Sequence, residues 1–201
     1  MHNEQNIDLR VVLARYHEDV SWTKDLKYPF VVYNKGPTIP GIPSIKICER
    51  GREAYSYLQH IVREYYCLNE FTAFSQAHPF DHCAHFVDKI NNFKRELGSP
   101  WLSDRTLTER VSDDCGVQAV YQMFFEGKLD VTIFPAAEIF IVQRDLILCR
   151  TKKFYEKLID LIDNIENYGE LDRKYDVKES YSGILERLWP FIFNKNSVAK
   201  F

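Results

Sequence analysis

Gln76, His78, Asp81 and His82 crowd into the stretch that follows the short apolar run Thr72–Ser75. Amide, imidazole and carboxylate groups at that density can bind a metal ion, a phosphate or a sugar. The run before them reads as a buried strand ended by a turn at Pro79. In open α/β sheets the ligand crevice lies beyond the carboxyl ends of the strands. The turn Gln76–His82 is therefore the first place to expect a site. His78, Asp81, His82 and His85 are spaced by three and four, which would bring them near one face of a helix as ligands for a divalent cation. No second cluster completes a tetrahedral set and HExxH is absent. The structural alternative has His78 and Asp81 capping a helix opened by Pro79, with His85 on its surface.

Three further groups carry charge at suggestive places. Arg15, His17, Glu18 and Asp19 follow the apolar run Val11-Val12-Leu13. Arg15 can grip a phosphate or carboxylate with two parallel hydrogen bonds. Otherwise the loop is a solvated turn, with Asp19 capping the next helix. Asn34-Lys35-Gly36 and Gly51-Arg52-Glu53 form the next group. Lys35 and Arg52 can balance a diphosphate, and a helix start at Gly51 adds backbone donors. Neither GxGxxG nor a Walker loop occurs, and Gly36 by itself reads as a tight turn. Glu186 and Arg187 interrupt an apolar helical segment. Buried charge needs a partner, so Glu186 is either a site carboxylate or the mate of a core arginine. No Gly-x-Ser-x-Gly elbow or Cys–His protease pattern is present.

The elements that must position these groups follow from periodicity. Leu9–Ala14 reads as a strand buried on both faces, and Phe30–Tyr33 as a second strand. Val20–Leu26 reads as a short helix with Trp22 and Leu26 on one side. Ile45–Ile47 is too short to assign. After Gly51, residues Ala54, Tyr57, Leu58, Ile61, Val62 and Tyr65 recur at helical spacing, with Ser56 and Gln59 opposite. Phe86, Ile90, Phe93 and Leu97 mark another helix, and Val117–Phe124 a shorter one. Residues 101–114 give only weak signals. Val131–Phe134 reads as extended, Ala137–Val142 as a strand, and a long helix starts near Thr151. Residues 167–178 read as a charged linker. A last helix spans about 181–193 with Leu185, Leu188, Trp189 and Ile192 inward, and the tail from Asn194 is expected to fray. Strand, strand, helix, strand argues for an α/β fold with a mainly parallel central sheet flanked by helices, in one domain over 1–201.

The totals exclude some classes. The net charge of -3 offers no basic field for nucleic acid. No apolar run is long enough to cross a bilayer. The polar residues Met1–Arg10 lack the apolar core of a signal peptide, and five scattered cysteines without a CxxC pair read as reduced thiols, so a cytoplasmic location is expected. With 14 Phe, 12 Tyr and 3 Trp, the aromatic residues are numerous enough to fill a core and line part of a cleft.

Several blocks together resemble a family of uncharacterised microbial domains: Ala14-Arg15-Tyr16-x-Glu18-Asp19-x-x-Trp22, Val32-Tyr33-Asn34-Lys35-Gly36, Gly51-Arg52-Glu53-x-x-x-Tyr57-Leu58-x-x-Ile61 and Phe74-x-Gln76-x-x-Pro79-Phe80-Asp81-His82. Ala137–Val142, Arg144 and Tyr155 are similar to its closing block, so the resemblance spans nearly the whole chain. That family in turn looks like the GT-A class of nucleotide-sugar glycosyltransferases, and Gly183–Leu188 resembles the Glu-Arg-Leu helix of capsule and lipopolysaccharide sugar transferases.

The resemblance implies transfer of a sugar from a nucleotide-sugar donor to a polysaccharide or glycan acceptor. It implies Arg15, Tyr16, Glu18 and Asp19 at the nucleotide, and Lys35 and Arg52 at the diphosphate. Gln76 and His82 would contact the acceptor, and Asp81 or Glu186 would act as base. His78, Asp81 and His82 would hold Mn or Mg, standing where such enzymes carry Asp-x-Asp. Ala77 and Ala137 occupy places where glycine is expected. Without a transmembrane segment, such a protein would meet a membrane-bound assembly complex only peripherally. The alternatives are a non-catalytic carbohydrate-binding or assembly domain on the same fold, and a metal-dependent hydrolase built on the histidine cluster.

Overall fold

The computed structural model describes residues 7–112, 115–164 and 181–201. Its elements are β1 (Leu9–Arg15), β2 (Phe30–Asn34), β3 (Ser44–Lys46), α1 (Arg52–Glu64), β4 (Phe71–Gln76), α2 (Phe86–Asn91), β5 (Thr106–Arg110), α3 (Gly116–Phe124), β6 (Val131–Pro135), β7 (Phe140–Gln143), α4 (Arg144–Ile147), α5 (Lys152–Asp163) and α6 (Tyr181–Ile192). The protein is a mixed α/β fold with a five-stranded sheet in the order β3-β2-β1-β4-β7. The pairs β3–β2, β2–β1 and β1–β4 are parallel, and β7 lies antiparallel beside β4. The order strand, strand, helix, strand thus forms the mainly parallel sheet expected of it.

β1 shows why its sequence is a continuous apolar run. Val12 and Ala14 face a core shared with α1, α3, α5 and α6, whereas Leu9, Val11 and Leu13 face a second core with Phe86 and Ile90 of α2. Alternate side chains of a strand point to opposite faces, so a strand covered on both sides must be apolar at every position. α1 buries Ala54, Tyr57, Leu58 and Ile61 completely, as its periodicity predicts. It also buries Ser56, and Tyr55, which meets α5 by donating to Asp163 at 3.3 Å. Thr151 caps α5 by accepting the Phe154 N–H at 3.2 Å, and Leu185, Leu188, Trp189 and Ile192 of α6 are buried as expected.

Several expectations are corrected. Residues Ile45 and Lys46, too short to assign, belong to β3, which pairs with β2. Val20–Leu26 forms a 3-10 helix over Ser21–Asp25, with the Trp22 indole donating to the Ala77 carbonyl at 3.0 Å. Pro79 opens a turn rather than a helix: its carbonyl accepts from the amides of His82 and Cys83, and α2 starts only at Phe86. α2 stops at Asn91, and Leu97 falls in a separate 3-10 turn. The weakly marked residues Thr106–Arg110 are β5, paired with β6 in a separate two-stranded ribbon.

The expected strand over 137–142 divides into a turn at Ala136–Glu138 and then β7. The tail from Asn194 is packed: Ala199 bridges to Phe125, and the Phe201 ring lies against Phe124. The charged linker over 167–178 lies outside the described residues. Among the described residues no helix is long and apolar enough to cross a membrane.

Candidate functional site

Parallel pairing puts the carboxyl ends of β1, β2 and β4 at one edge of the sheet. Arg15 sits opposite Asn34, and Ala14 opposite Gln76, in the registers of these strands. Two cavities open at this edge. The first, about 410 Å³, is lined by Arg15, Tyr16, Glu18, Lys35, Glu49 and the Arg50–Glu53 turn. The second, about 290 Å³, is lined by Arg52, Glu53, Gln76, His82, Arg105, Leu107, Ala136–Glu138 and Glu186. Arg52 and Glu53 line both, so the two cavities share one wall.

The walls of the first cavity are tied by cations on carbonyls. Arg15 donates from Nε to the Glu18 carbonyl at 2.8 Å, and from Nη1 to Asn34 Oδ1 and the Pro37 carbonyl, both at 2.9 Å. This clamps the loop after β1 to the turn after β2. Glu18 folds back to accept the Tyr16 amide at 2.6 Å. Tyr16 is bound to Glu49, and that carboxylate raises the phenol pKa. Asp19 accepts from the Ser21 amide at 2.9 Å and its hydroxyl at 2.7 Å, which lowers its pKa; it is tied to the first residue of the 3-10 helix, whose N-cap is Val20, and does not line the cavity.

Lys35 organises the shared wall. Its ammonium donates to the Arg50 carbonyl at 2.8 Å and to the Arg52 carbonyl, and so holds the turn that starts α1. Gly51 and Arg52 are both left-handed there, with φ of 54° and 43°. A Cβ on Gly51 would come 2.9 Å from Ile162 Cγ2, so the close packing of α1 on α5 also requires glycine. Burial lowers the Lys35 pKa to about 8.

The second cavity is built on strain. Arg52, Ala137 and Glu138 are the non-glycine residues with positive φ among the described residues, and all three line it. Such backbone persists only where surrounding contacts enforce it, and it clusters at functional sites. Glu186 Oε1 accepts the Ala137 amide at 2.7 Å. Tyr57 donates to the Glu138 carbonyl at 3.2 Å, and Trp189 donates from Nε1 to Glu138 Oε2 at 2.9 Å. The glycine expected at Ala137 agrees with its φ of 61°. Burial raises the Glu186 pKa, with the Ala137 amide acting against it.

The structure thus brings together Arg15, Tyr16, Glu18, Lys35, Arg52, Gln76, His82 and Glu186 around two adjoining cavities. Asp81 stands apart, its side chain 75% exposed and 3.7 Å from His78 Nε2. Among the described residues no three His, Cys, Asp or Glu side chains are grouped to hold a metal ion. Glu186 makes no ion pair with an arginine among the described residues, and Arg187 pairs instead with Glu109 through bonds of 2.6 and 2.7 Å.

Sequence reasoning missed Arg105 and Glu138 and gave Glu53 no role in binding. Arg105 lies in a stretch of weak signal, and Glu138 was absorbed into an expected strand. The signal available for Glu138 was a carboxylate inside the apolar run 136–142. No protein-family model matches the sequence, and no curated protein is significantly similar to it.

Proposed function

We propose that the chain is a glycosyltransferase-like protein of GT-A organisation, with a nucleotide-sugar donor in the first cavity and a glycan acceptor in the second. One observation carries this reading: two cavities at the carboxyl ends of parallel strands share Arg52 and Glu53 as a common wall. Transfer between two bound molecules needs adjoining sites that hold the reacting atoms close. Arg52 on that wall would face the diphosphate, where leaving-group charge develops in the transition state. The acceptor hydroxyl oxygen bonds to the anomeric carbon as the bond from that carbon to the diphosphate oxygen breaks. The diphosphate leaves with the electron pair, and Glu186 takes the hydroxyl proton. Burial supports that role for Glu186, because a carboxylate with a raised pKa is a better base near neutral pH. No step is assigned to a metal.

Calorimetry with UDP, GDP and CMP sugars, with and without Mn, tests the reading. One nucleotide sugar should bind at millimolar Kd or tighter, and Arg52→Ala should weaken it by about tenfold or more. Failure of all of them to bind at millimolar concentration would overturn it. One observation favours a non-catalytic binding domain as the second reading: Arg15 and Lys35 already hold the chain's own carbonyls. In that case glycans bind, but incubation with a bound donor and glycan releases no nucleotide.

A further inference from the structure

The cations around the first cavity have partners within the chain. Arg15 and Lys35 hold carbonyls, and Arg50 holds the Asp163 carbonyl at 2.9 Å. The second cavity is different. Arg105 and His82 both line it, and neither side chain has a hydrogen-bond or ion-pair partner among the described residues. Arg52 is the third donor there; its side chain is 70% exposed, and its contact with Glu53 is a loose 3.4 Å. These three groups come from separate parts of the chain: the turn after β4, the segment before β5 and the start of α1. All three carboxylates in the cavity have partners: Glu186 accepts the Ala137 amide, Glu138 the Trp189 indole, and Glu53 lies 3.4 Å from Arg52.

We propose that the second cavity binds a sugar carrying an oxyanion, a carboxylate or a phosphate, held by Arg105, His82 and Arg52. The inference rests on the donor-and-acceptor reading above and makes the acceptor an acidic saccharide. Arginine matches carboxylate and phosphate geometry with paired N–H donors, and the Arg105 side chain has none of its donors taken among the described residues. A volume of about 290 Å³ lies at the small end of ligand pockets, suited to one sugar unit rather than a long chain. Glu186 on the same cavity leaves the acid group and the reacting hydroxyl on different residues.

The test is calorimetry on the full chain and on Arg105→Gln, with glucuronate, inorganic phosphate, glucose and UDP as probes. Arg105 is exposed, so the variant should fold, and a thermal melt checks this. Glucuronate and phosphate should bind, with glucose weaker by about tenfold or more. Arg105→Gln should weaken glucuronate and phosphate by about tenfold while changing UDP less than about twofold. Equal binding of glucose and glucuronate overturns the inference, as does an unchanged glucuronate affinity in the variant. An equal loss for UDP also overturns it, because the anion would then belong to the donor. Selective glucuronate binding without any nucleotide binding supports the acid site while sinking the transferase reading alone.

Discussion

Gly36 packs its α-carbon against the backbone carbonyl of Tyr16, so that a Cβ at this position would overlap the carbonyl oxygen. The contact joins the loop after β1 to the turn after β2, the two segments that Arg15 also clamps. A backbone carbonyl cannot swing aside as a side chain can. Gly36→Ala is therefore expected to cost about 2–3 kcal/mol through overpacking. Urea unfolding measures it, and an unchanged midpoint would show that the two segments separate freely.

Burial of His60 should make stability depend on acid. The residue is 2% exposed, with Nδ1 3.2 Å from the Tyr33 hydroxyl. Burial lowers its pKa from the ordinary 6.5 to about 3. Between these values the unfolded chain binds a proton that the folded chain does not. The stabilisation is complete above 6.5 and declines as the pH falls, by up to about 1.4 kcal/mol per pH unit. Denaturation at pH 7, 6 and 5 should show a slope that is reduced in His60→Gln; equal slopes in both proteins would refute this account.

Lys35→Met keeps the aliphatic stem and removes the donors to the Arg50 and Arg52 carbonyls. A loss of about 1–2 kcal/mol is expected from two carbonyls losing a charged partner that is itself partly solvated. The loss should be local. Amide exchange should quicken at Tyr55, whose N–H bonds to the Gly51 carbonyl at 3.1 Å. Unchanged protection there would mean that the packing of α1 on α5 holds the turn unaided.

Trp189→Phe keeps an aromatic ring beside Tyr57 and Phe140 but removes the donor to Glu138. A hydrogen bond to a buried carboxylate is worth about 1.5–3 kcal/mol, and a loss of that size is expected. Glu138→Gln in the same background should recover part of it, because a neutral amide tolerates the missing donor better. If the double variant is no more stable than Trp189→Phe, the carboxylate charge is not the cause.

The elements with regular apolar spacing were legible: β1, β2, α1, β4, α5 and the inward face of α6. β5 was not, because Thr106, Thr108 and Arg110 face solvent and the inward side offers only Leu107 and Glu109. Its pairing with β6 is set by contacts with α6, where Arg187 meets Glu109 across 78 positions. No local pattern carries that information. The left-handed residues were equally hidden, since Arg52 and Glu138 are residue types that seldom adopt positive φ.

By itself, the order of apolar runs determined that this chain builds a parallel sheet with its polar loops at one edge, because each run must be buried and parallel strands bring their ends together. Which polar groups meet there was decided only by the tertiary structure. Arg105 and Glu138 join Arg52 and His82 through packing between distant segments, whereas the neighbouring Asp81 faces solvent. Burial acts locally through hydrophobic spacing, but a cavity is defined by whatever the packed elements leave between them.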